Sequence, residues 1–171
     1  MLRAAAFAAV IAAIAAPALA QEITLVPGEA VTLRLEGDAT AGERGDAEWT
    51  PHDLAVAHHL AGLAPPKAPV GSPSQLPEGM PAAAPVRENV VRLRFLSIAG
   101  QHSLLIVENG YNRALVYRAR MTREGRAEPT DVCLVTPRNR SYEHWPHPIE
   151  GIAIADLRLV PWRPGDPQPC R

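Results

Sequence analysis

Val90-Val-Arg-Leu-Arg-Phe-Leu-Ser-Ile98, followed after a short break by Ser103-Leu-Leu-Ile-Val107, decides the fold class. In the first run Val91, Leu93 and Phe95 alternate with Arg92 and Arg94, so an extended chain turns one face to a core and carries charge on the other. The second run is apolar throughout, as in a strand covered on both sides. Asn109-Gly110 comes next, and both residues tolerate the positive φ of a type I′ turn, so the sequence predicts a hairpin there. The expected return strand, Arg113 to Met121, puts Leu115, Tyr117, Ala119 and Met121 on one face and Val116, Arg118 and Arg120 on the other. Arg123-Glu-Gly-Arg126 then reads as a turn into a further strand from Thr130 to Thr136.

Working outward, Glu22 to Val26 and Ala30 to Leu35 carry the same period-two signature, separated by a Pro27-Gly28 turn. Gly37 to Asp46 reads as a polar, glycine-bearing loop. Thr50-Pro-His-Asp53 has the form of a helix entry, with Thr50 as cap, Pro51 at the first helical position and Asp53 completing a capping-box-like pattern. That helix is expected to run to about Leu60, stop near Gly62, and bury Val56, Leu60 and Leu63, with His52 and His59 bordering the stripe. Between Ala64 and Pro85 there are seven prolines, which cannot continue a helix or complete a sheet ladder, so 63–86 reads as an extended linker. Downstream, Pro137 to Pro148 reads as a long polar and aromatic loop before a last strand from Gly151 to Val160. About seven short strands at this spacing predict an all-β, immunoglobulin-like β-sandwich, with a partly open barrel as the alternative.

The N-terminal end indicates export. Arg3 precedes an apolar run from Ala4 to Ala16, Pro17 breaks it, and Ala18-Leu-Ala20 offers the small residues a signal peptidase accepts, so 1–20 is expected to be a cleaved signal peptide. The expectation is therefore a periplasmic or secreted chain, 21–171, forming one β-rich domain without a transmembrane anchor. Cys133 and Cys170 are the two cysteines, and an even count in an exported chain reads as one disulfide. Closing that loop is worth about 4 kcal/mol in the chain-entropy model.

Without Arg3 the chain has 16 Lys and Arg against 18 Asp and Glu, a net of −2 that gives no general pull toward nucleic acid or anionic lipid. The distribution is lopsided: 22–56 holds eight acids against two arginines, and 86–140 holds ten arginines against five acids. Pairing between the two regions is the simplest use of that asymmetry, and an arginine-rich surface for an acidic partner is the functional one.

No G-x-S-x-G elbow, H-E-x-x-H, phosphate-cradling loop or dinucleotide fingerprint occurs, so the sequence points to a non-catalytic interaction module of a bacterial-type cell envelope. Its expected partner is an envelope protein or polymer, met by Arg113, Arg118, Arg120 and Trp145. The alternative is a periplasmic metal-binding protein. His144 and His147, beside Tyr142 and Glu143, are candidate ligands for zinc or copper, needing a third from His102 or from His58 and His59.

Overall fold

A computed structural model describes residues 22–36, 39–63 and 79–166 of the chain. The expected signal peptide, the first part of the Pro-rich linker and Cys170 lie outside them. The described residues are mostly β, in the order β1 (Ile23–Leu25), β2 (Glu29–Glu36), β3 (Ala39–Asp46), α1 (Pro51–Leu60), β4 (Val91–Ile98), β5 (His102–Asn109), β6 (Ala114–Arg123), β7 (Arg126–Pro129), β8 (Leu134–Val135), β9 (Asn139–Trp145) and β10 (Gly151–Val160). They form two antiparallel five-stranded sheets and no closed barrel. Sheet A runs β1-β10-β6-β7, with β8 also on β6, and sheet B runs β3-β2-β4-β5-β9. No helix among the described residues is long and apolar enough to cross a membrane.

The main core lies between the sheets. Val31 and Leu33 of β2, Val91, Leu93 and Phe95 of β4, and Leu105 and Val107 of β5 meet Leu115, Tyr117 and Ala119 of β6 and Ile152 and Ile154 of β10. The odd positions of β4 therefore face inward, as the alternation predicts. The even positions face a second core: Leu96, Ile98, Leu104, Ile106 and Tyr142 are covered by Val56 and Ala57 of α1. This helix explains why β5 is apolar on both faces. Burying Val56 completely contributes about 1.5–3 kcal/mol.

Helix α1 begins and ends where the sequence places it. Thr50 is the cap and its Oγ1 accepts from the Asp53 amide, Pro51 follows, and Gly62 beyond the end has φ +69°. Its buried face differs from the expected stripe. Asp53, Val56, Ala57 and His59 are buried, Leu60 is half-buried and Leu63 is exposed. Asp53 turns inward because a buried arginine waits for it on the sheet.

Four further expectations are corrected. The polar stretch 39–46 is β3, an edge strand paired residue for residue with β2 from Glu29↔Asp46 to Glu36↔Ala39. An exposed edge is held by its ladder and has no need of apolar alternation, which hid it. The stretch 139–145, read as loop, is β9, the other edge of sheet B, paired from Ser103↔Trp145 to Asn109↔Asn139. Asn109-Gly110 is not a hairpin turn: β5 belongs to sheet B and β6 to sheet A, so this dipeptide is the corner where the chain changes sheets. The fully buried Asn109 amide donates to the carbonyls of Arg113, Val135 and Thr136, and its Oδ1 accepts from the Tyr111 amide. Gly110 is needed for close approach, since a Cβ there would lie 1.8 Å from the Arg87 carbonyl oxygen. The strand expected at Thr130 to Thr136 shortens to β8, because β7 takes the preceding place on β6 after a Glu124-Gly125 turn with φ +51° and +71°.

Candidate functional site

The outer face of sheet B carries charge as well as the helix. Its even-numbered β4 residues run Arg92, Arg94, Leu96, Ile98, so Arg94 sits at the border of the apolar area under α1. Arg94 is fully buried and its charge is met locally: Nη1 donates to Asp53 Oδ2 at 2.6 Å and to the Glu48 carbonyl at 3.0 Å, and Nη2 donates to Glu108 Oε1 at 3.3 Å. Arg140 Nη2 donates to the same Glu108 oxygen at 2.7 Å and to the Ala84 carbonyl at 2.9 Å. Tyr142 donates its hydroxyl to Asp53 Oδ1 at 2.8 Å, and Thr50 Oγ1 donates to Asp53 Oδ2 at 2.6 Å. The cluster ties α1, β4, β5, β9 and the 79–90 segment into one unit.

Electrostatics within it are consistent. Burial works against ionisation of Asp53, but hydrogen bonds from Arg94 and Thr50, the Arg94 charge and the Tyr142 hydroxyl together hold its carboxyl below the ordinary range. Burial and then the Asp53 charge raise the Tyr142 phenol, which stays a neutral donor. Arg140 is partly desolvated, yet Glu108 keeps its pKa above the ordinary value.

Beside the cluster opens a cavity of about 360 Å³ lined by Thr32, Thr50, Ala84, Pro85, Arg87, Val90, Arg92, Arg94, Glu108 and Arg140. Strand register makes one row of its floor: Thr32 of β2 opposes Arg92 of β4, Arg92 opposes Glu108 of β5, and Glu108 opposes Arg140 of β9. The 79–90 segment forms a wall, pinned by His52 Nδ1 against the Pro81 carbonyl at 2.7 Å and by Arg140 on Ala84. Within the cluster Arg94 and Arg140 balance Asp53 and Glu108. Arg87 and Arg92 have no carboxylate within ion-pair distance among the described residues, which leaves the cleft with positive charge to spare.

At the opposite end of β5 and β9 the same face carries a pair of imidazoles. His102 Nδ1 and His144 Nε2 lie 2.9 Å apart, with ring planes within 13° of parallel and centroids 5.1 Å apart, so the imidazoles meet edge to edge through this hydrogen bond. Burial, followed by neighbouring His102 and His147, lowers the His144 pKa and favours its neutral form. His147, on the turn beyond β9, has a buried Nε2 without a hydrogen-bond partner. The described residues contain no group of three potential ligands arranged around one point.

The residues singled out in the sequence are scattered. Arg118 and Arg120 are exposed on the outer face of sheet A, where Arg118 pairs with Asp156 at 3.5 Å. Arg113 is exposed and donates to the Leu159 carbonyl. Trp145 belongs to sheet B and packs against the inter-sheet core, so it shares no surface with those arginines. His144 is brought to His102. The expected bridge from Cys133 ends at Cys170, outside the described residues.

Asp53, Arg94, Glu108, Arg140 and Tyr142 are not legible as a group from local sequence pattern. A signal existed: once both faces of β5 are apolar, the even face of β4 must also be covered, and a charge at Arg94 then demands a buried acid. No family model, curated protein or solved structure matches this chain. The functional reading therefore rests on its own residues.

Proposed function

We propose that the chain is an exported, non-catalytic binding module of a bacterial-type cell envelope, and that the arginine-lined cleft on sheet B receives an anionic group of its partner, an envelope protein or polymer. The observation that carries this reading is the convergence of Arg87, Arg92, Arg94 and Arg140 on one cavity against the single acid Glu108. Guanidinium groups present forked donors that match carboxylate or phosphate oxygens. Arg94 and Arg140 are fixed by their internal partners and form a rigid, charge-balanced floor. Arg87 and Arg92 supply the charge that a ligand would neutralise. The signal-like segment 1–20 and the paired cysteine count support export. Two packed antiparallel sheets support an immunoglobulin-like frame, which the binding role uses as a rigid base for the cleft.

This cleft is a better seat than the outer face of sheet A, where the Arg118 side chain is 82% exposed and enclosed by nothing. Fluorescence anisotropy with a labelled oligoglutamate peptide tests the choice. Arg92→Glu is expected to weaken binding at least roughly tenfold, about 1.4 kcal/mol, while Arg118→Glu leaves it within twofold or so. Equal losses in both variants, or no binding by the unmodified protein at low salt, would overturn the assignment.

A further inference from the structure

We infer that the anion taken by the arginine cleft is a phosphate monoester, held in a subsite of Arg34, Arg87, Arg92 and Thr32; this rests on the cleft reading above and names the chemistry of its ligand. The cleft does not end at Thr32. A second cavity of about 240 Å³, lined by Thr32, Arg34, Gly42, Glu43, Arg87 and Val90, shares Thr32, Arg87 and Val90 with the first. Arg34 belongs to the second cavity, Arg92 to the first and Arg87 to both. Strand register explains the grouping. Thr32 opposes Arg92 across β2 and β4, so Arg34, two residues along β2, is the diagonal neighbour of Arg92 on the same face of sheet B. Such neighbours stand about 7–8 Å apart, a gap that long side chains bridge.

Charge and donor geometry select the ligand. Arg34, Arg87 and Arg92 have no carboxylate within ion-pair distance among the described residues. Glu108 is engaged by Arg94 and Arg140, and Glu88, next to Arg87 in the chain, pairs with Arg138 at 3.1 Å. Glu43, opposite Thr32 on β3, is the acid of the second cavity. Three guanidinium charges against this one carboxylate leave a local surplus of +2. A carboxylate ligand carries −1 and two oxygens, which one guanidinium fork already occupies. A phosphate monoester carries about −1.5 to −2 at pH 7 and three strong acceptor oxygens. It therefore balances the surplus and can accept from all three arginines, while the Thr32 hydroxyl at the junction adds a neutral donor.

The test is calorimetric titration of the purified protein at low salt with glycerol phosphate, dimethyl phosphate and acetate. Glycerol phosphate is expected to bind at least about tenfold more tightly than the other two, which carry one charge each. Arg34→Gln should weaken glycerol phosphate binding about tenfold or more, the worth of one hydrogen bond to a charged group, and leave acetate within about twofold. Arg118→Gln, on the outer face of sheet A, should change neither. Far-ultraviolet circular dichroism shows that each variant is folded. Sedimentation with phosphatidylcholine vesicles that contain phosphatidic acid separates the sources of a monoester: co-sedimentation assigns a lipid headgroup, and its absence beside glycerol phosphate binding assigns a soluble or polymer-borne phosphate. Equal affinity for glycerol phosphate and acetate, or unchanged glycerol phosphate binding in folded Arg34→Gln, would overturn the proposal. Oligoglutamate binding that persists without any preference for glycerol phosphate removes this subsite and leaves the cleft, whereas a protein that binds no oligoglutamate removes the cleft itself.

Discussion

Asp53→Ala probes the buried cluster most directly. The Asp53 carboxylate is fully buried and accepts from Arg94 at 2.6 Å, Thr50 at 2.6 Å and Tyr142 at 2.8 Å. Removing it leaves Arg94 with Glu108 at 3.3 Å, an acid already held by Arg140 at 2.7 Å, and leaves the Tyr142 hydroxyl without its acceptor. A buried cation that loses its partner costs about 3–5 kcal/mol. For a chain of this size each kcal/mol corresponds to about 2–4 °C, so Tm should fall by roughly 6–20 °C. Urea and thermal unfolding followed by circular dichroism measure it. The triple variant Asp53→Leu, Arg94→Met, Tyr142→Phe should recover most of the loss, because apolar groups of similar volume substitute for a buried ion pair at little net cost. The same pair gives a pH signature. The folded Asp53 pKa lies below its unfolded value, so the unfolded chain takes up the proton first. The contribution is complete above the ordinary carboxylate range and is lost as pH falls through the folded pKa. Stability of the unmodified protein should therefore drop on acidification more steeply than that of Asp53→Ala. A single-variant loss below about 1 kcal/mol, the range of exposed ion pairs, would refute the cluster as a buried clamp.

Gly110→Ala places a Cβ 1.8 Å from the Arg87 carbonyl oxygen and 2.8 Å from that of Val90, both backbone atoms, so the corner must open; a loss above about 3 kcal/mol or failure to accumulate folded protein is expected in urea titrations. Asn109→Ala removes a buried amide that donates to three carbonyls and should cost about 2–4 kcal/mol by the same assay. Glu143 faces the opposite pH trend: burial first, then the Asp131 charge, raises its pKa above the unfolded value, so its ionisation opposes folding as pH rises. Glu143→Gln should raise Tm at pH 7, with the gain vanishing below the ordinary carboxylate range. Intact mass is expected to fall by the two hydrogens of a Cys133–Cys170 bridge, and reduction should lower stability by up to about 4 kcal/mol; an unchanged mass would remove the bridge.

Local pattern determined much of this protein. Alternation placed β2, β4 and β6 with their inward residues, the run from Gly151 to Val160 was legible as a strand, and Thr50, Pro51 and Gly62 marked the ends of α1, because capping and periodicity act over a few neighbouring residues. The doubly apolar β5 announced a covering layer without naming it. Tertiary structure decided the rest. The two edge strands of sheet B, β3 and β9, are not legible in the sequence because ladder hydrogen bonds need no side-chain pattern. Asn109-Gly110 has the chemistry of a turn, but only the meeting of two sheets decides that it is a corner. The cleft and the imidazole pair join residues as far apart as Asp53 and Tyr142, or His102 and His144. Coulombic pairing across that separation depends on which strands become neighbours, and the local sequence does not encode that choice.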